Sequence, residues 1–219
     1  SSDTPQVIYR QDYRAPDYLI DTVHLHFFLG ERQAVVTSRL HCRRNGAAGV
    51  NPPLVLDGKE LELVSVLLDS RKLTDRDYEL SKEALTIGQV PDSFELTITT
   101  LIRPEENTAL EGLYKSSGNF CTQCEAQGFR KITYFLDRPD VMSRFTTTIE
   151  ADRSIPVLLA NGNLVETGQA PGGRHYATWH DPFLKPCYLF ALVAGDLVRV
   201  ADSHVTGSGR AIALHIYVQ

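Results

Sequence analysis

Apolar and polar residues alternate with a period of two along most of the chain, which is typical of β-strands that bury one face. The clearest run is "VHLHFFL" (residues 23–29), in which the odd-numbered positions face one side and His24 and His26 face the other. The runs "AVVTSRLHC", "SFELTITTLIR", "RFTTTIEAD" and "ALHIYVQ" repeat the pattern with many β-branched and aromatic residues. The alternation predicts an all-β fold, a large antiparallel β-sandwich.

Glycine-containing turns separate these runs. Asn161-Gly162 lies between two apolar stretches and is a strong hairpin signal, because a type I′ turn needs positive φ at both central positions. We interpret "VTGSGRAI", and Asp57-Gly58 in "VLDGKELEL", as hairpins in the same way. Only "PEENTALEGLY" and "RPDVMSRF" have the features of short helices. Because no repeat, low-complexity tract or linker occurs, residues 1–219 are interpreted as one domain.

Composition excludes several classes of protein. The 219 residues are 42% hydrophobic and 22% charged, as in globular proteins. The net charge is −5 and no more than two basic residues are adjacent, as at Arg43-Arg44, so we expect no nucleic-acid partner. The apolar stretches are too short for a membrane span, and the polar opening segment has no signal-peptide pattern. Four cysteines do not make a disulfide framework, so a cytoplasmic location is predicted.

Two of the cysteines form Cys121-x-x-Cys124 in "NFCTQCEAQGFRK". A structural zinc site would need two further ligands, whereas Cys42 and Cys187 are isolated in the sequence. A thioredoxin-type pair opens a helix in a βαβ unit, which this β-rich context does not offer. The preferred interpretation is therefore two small, partly buried thiols that pack a tight turn.

The other polar residues that could form a catalytic or metal site also lack the sequence motifs of known sites. His24, His26 and His41 could form a cluster on neighbouring strands, but their face is predicted to be the outer one, where solvated histidines are common. His180-Asp181 has no Gly-x-Ser-x-Gly nucleophile to accompany it, so a serine hydrolase is not expected. H-E-x-x-H, phosphate-loop and G-x-G-x-x-G motifs do not occur in the 219 residues.

Gln123 and Glu125 flank Cys124, so in a turn pinned between strands both side chains would point the same way. Two polar groups on one side of a rigid turn could bind a small cation. A charge-assisted hydrogen bond between a carboxylate and an ammonium group contributes about 1.5–3 kcal/mol. An exposed loop glutamate without a role is the alternative, and the residues alone leave both interpretations open.

Long segments of the chain resemble one family, the N-terminal domain of zinc aminopeptidases of the aminopeptidase N type, most closely the bacterial ones. The similarity runs in order from Tyr9 to Val218. The segments that carry it are "YRQDYRAPDYLIDTVHLHFFL", "NTALEGLYKSSGNFCTQCEAQGFRKITYFLDRPDVMSRFTTTIEAD", "LLANGN" and "HDPFLKPCYLFALVAGDL".

The resemblance implies a saddle-shaped antiparallel β-sandwich that packs on a thermolysin-like catalytic domain. In this family the N-terminal domain holds no zinc and contributes a Gln-x-Glu wall to the active site. Carried over, Glu125 is expected to bind the free α-ammonium group of a peptide substrate, and Gln123 to line the pocket for its first side chain.

The family's zinc motif H-E-x-x-H and its G-A-M-E-N motif do not occur in the chain. They are expected after residue 219, because the chain stops within the strand pattern "IALHIYVQ". The parent enzyme is then a zinc aminopeptidase whose zinc lies outside this chain. The chain by itself is expected to bind no catalytic zinc and to hydrolyse nothing.

The expected partners are the N-terminus of a peptide and the catalytic domain of the same polypeptide. Docking on that domain is expected to use apolar surface near "CEAQGF" and "YLFALVAG". The alternative is a self-contained β-sandwich module that binds protein or carbohydrate. Such a module would need an exposed aromatic platform, and Trp179 is the only tryptophan.

Overall fold

The structure is a computed structural model that describes residues 9–219. Within them the backbone forms strands and short 3-10 helices, with no α-helix and no helix long and apolar enough to cross a membrane. The strands are β1 Tyr18–Leu29, β2 Ala34–Arg44, β3 Leu54–Asp57, β4 Glu62–Leu68, β5 Arg71–Lys72, β6 Tyr78–Leu80, β7 Ala84–Ile87, β8 Ser93–Ile102, β9 Gly112–Ser116, β10 Asn119–Gln123, β11 Ser143–Asp152, β12 Val157–Ala160, β13 Asn163–Ala170, β14 Arg174–Lys185, β15 Leu192–Gly195, β16 Val198–Val205 and β17 Ala211–Val218. The 3-10 helices are Arg10–Asp12, Phe129–Lys131, Pro171–Gly173 and Cys187–Leu189.

An eight-stranded sheet in the order β13-β14-β11-β1-β2-β8-β4-β5 is the largest element. The predicted all-β class is confirmed, and every pairing in this sheet is antiparallel except β1 with β11, which is parallel. Strand alternation cannot distinguish these two directions, because each gives the same period of two.

One face of the large sheet is buried, as the alternation predicts. In β1 the odd positions from Val23 to Leu29 are buried, whereas His24, His26 and Phe28 are exposed. β2, β8 and β11 bury every second residue in the same way. The outer face of these strands carries threonine, histidine, arginine and glutamate, which water solvates well.

Two smaller sheets contribute to the same hydrophobic core. Their strand orders are β12-β15-β10-β9 and β3-β7-β6. They add, among others, Leu54, Leu56, Leu85, Phe120, Leu158 and Leu192 to the buried cluster. The last pair, β16 with β17, makes a separate two-stranded sheet that adds nothing to that cluster.

Two of the three predicted hairpins are wrong. Asn161-Gly162 joins β12 to β13, but β12 pairs with β15 and β13 pairs with β14, so the turn links two different sheets. Gly162 has φ +93°, and a Cβ there would collide with the backbone of β14 at His180. Asp57-Gly58 likewise joins β3 to the large sheet. Only "VTGSGRAI" forms the predicted hairpin, between β16 and β17.

Neither predicted helix forms. "PEENTALEGLY" is a turn that leads into β9, and "RPDVMSRF" is a turn that leads into β11. In the first segment the Asn107 amide donates to the carbonyls of Glu111 (2.6 Å) and Leu113 (2.9 Å), a side-chain contact that competes with helical hydrogen bonding. The expectation for the first eight residues of the polar opening segment lies outside the described residues.

Replacing Phe129 by alanine should destabilise the fold strongly. Its ring is 0% exposed, and its centroid lies 4.9 Å from that of Phe135 and 5.4 Å from that of Phe190. Loss of a buried phenylalanine typically costs about 3–5 kcal/mol, measurable as a lower urea midpoint. The control Phe183→Ala removes a ring that is 77% exposed and should change stability by less than about 0.5 kcal/mol. Equal effects of both changes would contradict this picture of the core.

Candidate functional site

The Gln-x-Glu segment lies where β10 leaves its sheet. Gln123 is the last residue of β10 and pairs with Gly112 of β9. Cys124 is buried at 3% exposure, and Glu125 starts an exposed turn. The turn closes when the backbone N–H of Gly128 donates to the carbonyl of Cys124 at 2.9 Å. The segment is therefore a short loop held at both ends.

Gln123 and Glu125 are both exposed, while Cys124 between them is buried. The side chains on either side of Cys124 are thus both solvent-exposed, in alternation with the buried cysteine. The Gln123 amide lies 3.4 Å from the backbone carbonyl of Glu125 and can donate to it. Among residues 9–219, no basic side chain lies within 4.0 Å of the Glu125 carboxylate. Among the described residues, the Glu125 carboxylate at the start of the turn therefore has no ion-pair partner.

The turn packs directly on the backbone of β9. A Cβ on Gly128 would collide with the carbonyl oxygen of Gln123 and lie 3.1 Å from the backbone nitrogen of Gly112. Gly112 has φ +73°, and a Cβ there would lie 2.8 Å from that of Lys131. Glycine at both positions permits this close approach, because glycine has no Cβ and tolerates positive φ.

The cysteines pack this turn. Cys124 is buried, Cys121 is half-buried, and all four cysteines are free. Burial raises the pKa of Cys124 to about 12 and raises that of Cys121 as well, so both are protonated thiols at neutral pH. A thiolate is the form that binds metals and attacks disulfides. The packing interpretation of the pair agrees with this environment.

Sequence reasoning missed a buried ion pair directly after the turn. Arg130 donates from its backbone N–H (3.2 Å) and from Nε (2.9 Å) to Oδ2 of Asp137. The Asp137 side chain is 1% exposed. Asp57 of β3 accepts from the backbone N–H of Asp137 at 3.2 Å and lies 3.6 Å from Nη1 of Arg130. Burial raises the pKa of Asp57, and the nearby Arg130 opposes that shift.

The next residue of the same 3-10 helix, Lys131, is held by other acidic side chains. Its ammonium group lies 2.9 Å from Glu111 and 3.3 Å from Glu60, and its own side chain is 6% exposed. Burial acts to lower the pKa of Lys131, but the hydrogen bonds to Glu111 and Glu60 raise it overall. Arg130 and Lys131, which follow the turn, therefore both form ion pairs with acidic side chains.

The other candidates do not assemble into a site. His24, His26 and His41 are exposed on the outer face of the large sheet, as predicted. Among residues 9–219, no group of three or more histidine, cysteine, aspartate or glutamate side chains could hold a metal ion. Trp179 is half-buried and donates its Nε1–H to the carbonyl of Leu158 at 3.0 Å, so it is not the exposed platform that a carbohydrate-binding module needs.

Comparison with known proteins gives consistent matches. The sequence model of the peptidase M1 N-terminal domain matches residues 25–189. The chain is 52% identical to aminopeptidase N of Caulobacter vibrioides over 99% of its own length and 25% of that protein. It is 51% identical to aminopeptidase N of Escherichia coli over 98% of its own length and 24% of that protein. The chain thus spans about a quarter of the length of these relatives.

Solved structures agree with the sequence matches. Aminopeptidase A of Legionella pneumophila, determined in complex with aspartic acid, superposes with a TM-score of 0.90 at 38% identity, over 94% of this chain and 25% of that one. An M1 zinc metallopeptidase of Deinococcus radiodurans superposes with a TM-score of 0.75 at 16% identity, over 91% of this chain and 47% of that one, a likeness of fold alone.

Adding one methyl group at Gly128 should displace the turn. Because the new Cβ would collide with backbone atoms that cannot rotate away, Gly128→Ala is expected to destabilise the chain by about 2 kcal/mol or more. Gly88→Ala is the matched control, since a Cβ there meets no atom within 4 Å and its effect should stay within about 1 kcal/mol. Urea unfolding of both variants measures the difference in stability. Similar midpoints would show that the turn can shift to accommodate the methyl group.

Proposed function

The chain belongs to the peptidase M1 N-terminal domain family, and from this membership we propose that it is the substrate-anchoring domain of a zinc aminopeptidase. The complete polypeptide would remove single amino acids from the N-terminus of peptides. The relatives in support of this are named aminopeptidase N, and they match nearly all of this chain with about a quarter of their own length. The observation that carries the proposal is the unpaired carboxylate of Glu125 on a braced turn.

An aminopeptidase must recognise the end of a peptide and place the first peptide bond at a fixed distance from it. The end carries an α-ammonium group, which the Glu125 carboxylate would bind through charge-assisted hydrogen bonds. A fixed anchor aligns the substrate as well as binding it, and alignment accelerates the chemical step. The Gln123 amide, which is also exposed, would line the pocket for the first side chain.

Zinc would be bound outside the described residues. Residues 9–219 bring no three candidate ligands together, so they do not fit a zinc site. The Deinococcus radiodurans protein that shares the fold is named a zinc metallopeptidase, which supports zinc in the complete polypeptide. We assign no zinc ligand and no hydrolytic step to this chain.

The docking surface for the remainder of the enzyme would be the β16–β17 hairpin. Near "CEAQGF" and "YLFALVAG", Cys124, Phe129, Phe190 and Leu192 lie in the chain's own core, and Leu189, at 46% exposure, is the large apolar side chain there that faces solvent. Instead, one face of the hairpin exposes a row of aliphatic side chains. They are Val198, Val200, Leu214, Ile216 and Val218, with exposures from 39% to 64%. A two-stranded hairpin is marginal alone, so a partner that covers this face would stabilise it.

We retain a cytoplasmic location as part of this proposal. All four cysteines are free thiols, and Cys42, Cys124 and Cys187 are buried. A protein without disulfides suits a reducing compartment.

Removing the anchor should impair the complete enzyme. For Glu125→Ala in the full-length protein, kcat/KM for leucine p-nitroanilide should fall on the order of 10²-fold or more, because a charge contact of about 3 kcal/mol is lost. Glu79→Ala, at an exposed glutamate of β6, is the control and should match wild type. Metal content measured on each variant should be unchanged. If Glu125→Ala had wild-type kinetics, Glu125 would be a surface carboxylate with no role in substrate binding.

Placing a charge on the apolar hairpin face should destabilise only the complete enzyme. Ile216 is 53% exposed here, so Ile216→Lys should change the urea stability of the 219-residue chain by less than about 0.5 kcal/mol. In the full-length protein the same change should lower Tm by several degrees, since burying an isoleucine side chain contributes about 1.5–3 kcal/mol. Ala213→Lys, on the opposite face of β17, is the control. Equal effects of Ile216→Lys in the two contexts would exclude this face as the docking surface.

A further inference from the structure

We propose that Asp137 is a positioning residue for the Glu125 turn. Its buried carboxylate, acting through Arg130, would fix the place at which Glu125 meets the substrate's ammonium group. The inference rests on the proposed function of Glu125 and extends it to a residue that touches no substrate. It is carried by the contacts between Asp137 and the segment that follows the turn.

Asp137 fixes both the backbone and the side chain of Arg130. Oδ2 of Asp137 accepts from the backbone N–H of Arg130 (3.2 Å) and from its Nε (2.9 Å), and the Asp137 carbonyl accepts from Nη2 (3.2 Å). Arg130 lies in the 3-10 helix Phe129–Lys131, which begins directly after Gly128 closes the turn. Any shift of Asp137 therefore moves the C-terminal end of the turn.

Asp137 itself is held from two other parts of the fold. Its backbone N–H donates to Oδ2 of Asp57 (3.2 Å), and the thiol of Cys187 donates to its Oδ1 (3.1 Å). Asp57 belongs to β3, and Cys187 begins the 3-10 helix Cys187–Leu189. The carboxylate thus joins the turn to two elements that are distant in sequence.

The burial of the Asp137 side chain supports a role in orienting the turn rather than in stabilising the fold. The side chain is 1% exposed, and among the described residues Arg130 is the basic group that pairs with it. Desolvation of a buried ion pair offsets much of its attraction, so such a pair is weak support for stability. The pair instead fixes the orientation of the Arg130 segment, because hydrogen bonds constrain angles whereas apolar contacts do not.

The other contacts at the base of the turn orient it less strongly than the contacts of Asp137 do. Phe129 is held by apolar contacts, which fix position but not orientation. Lys131 is buried, but its partners Glu60 and Glu111 have side chains that are 64% and 53% exposed, so solvent screens these pairs more than it screens the contact between Arg130 and the 1% exposed Asp137.

The turn also has space into which it could shift. A surface cavity of about 440 Å³ is lined by Gln127 of the turn together with Asp57, Arg130 and Asp137. When the ion pair is intact, Arg130 holds the turn at the edge of this cavity. Without the Asp137 charge, the segment from Gln127 to Arg130 has room to relax and would carry Glu125 with it.

The test measures ammonium recognition directly in the full-length protein. Leucinol and 4-methylpentan-1-ol have no amide bond to hydrolyse and differ only by the amino group, so the ratio of their inhibition constants at pH 7 reports the anchoring of the ammonium. Asp137→Asn keeps the size of the side chain and removes its charge. We expect this variant to reduce the ratio by about 10-fold or more, which converts to about 1.4 kcal/mol of lost anchoring. Inhibition constants refer to folded enzyme, so a loss of stability alone would leave the ratio unchanged.

A matched control separates position from stability. Asp181→Asn makes the same chemical change in another largely buried ion pair, in which Asp181 lies 2.9 Å from Lys185. It should lower stability and keep the wild-type ratio. If Asp137→Asn fails to fold, Arg130→Lys serves instead, since it retains the charge and the backbone contact but loses the Nε and Nη2 contacts. A smaller decrease in the ratio is expected for that variant.

The two proposals fail in distinguishable ways. Glu125→Gln should abolish the discrimination between the two ligands, and adding Asp137→Asn to it should cause no further change. If Glu125→Gln loses the ratio but Asp137→Asn and Arg130→Lys keep it, the positioning role is overturned and the function of Glu125 stands. If Glu125→Gln keeps the wild-type ratio, the proposed function of Glu125 fails, and the role of Asp137 fails with it.

Discussion

Burial of Phe129 among other aromatic rings is the contact on which the position of the exposed turn depends. Phe135, Phe145 and Phe190 surround it with centroids 4.9, 6.1 and 5.4 Å away. Phe145 belongs to β11 of the large sheet, whereas Phe190 follows the 3-10 helix after β14. One ring beside the turn therefore joins it to elements that are distant in the chain. Because burial of a phenylalanine contributes about 1.5–3 kcal/mol, leaving this core would be costly for the turn.

Apolar burial alone leaves the orientation of the turn undefined, and polar contacts supply what it lacks. The Gly128 N–H closes the turn on Cys124, and Asp137 binds the backbone and the side chain of Arg130. Close packing of Gly128 against β9 excludes even a methyl group. The result is an exposed carboxylate on a braced support, in which the proposed binding group is accessible while the residues proposed to orient it are largely buried.

The sequence was informative where burial follows a simple period and uninformative where it does not. The alternation in β1, β2, β8 and β11 predicts the buried face of the large sheet, because each strand has one core side. It cannot show the parallel pairing of β1 with β11, or that Asn161-Gly162 links two sheets. The spacing of Gln123 and Glu125 predicts only that their side chains point the same way, and their proposed roles come from family resemblance. The Asp137–Arg130 pair joins a one-turn 3-10 helix to a residue outside any helix or strand, where no period in the sequence marks a contact.

The strands between the hairpin and the turn link the proposed docking surface to the proposed anchor Glu125. β15 ends at Gly195, close before the start of β16, and β15 pairs with β10, whose last residue is Gln123. The Leu192 N–H donates to Oγ1 of Thr122 at 2.8 Å, next to Gln123. A partner that holds the β16–β17 face is thus linked through one strand pair to the turn. Since strands resist bending within a sheet, a short rigid path of this kind would keep Glu125 at a defined distance from groups on the docked partner. An anchor that measures from the end of a peptide requires such a distance.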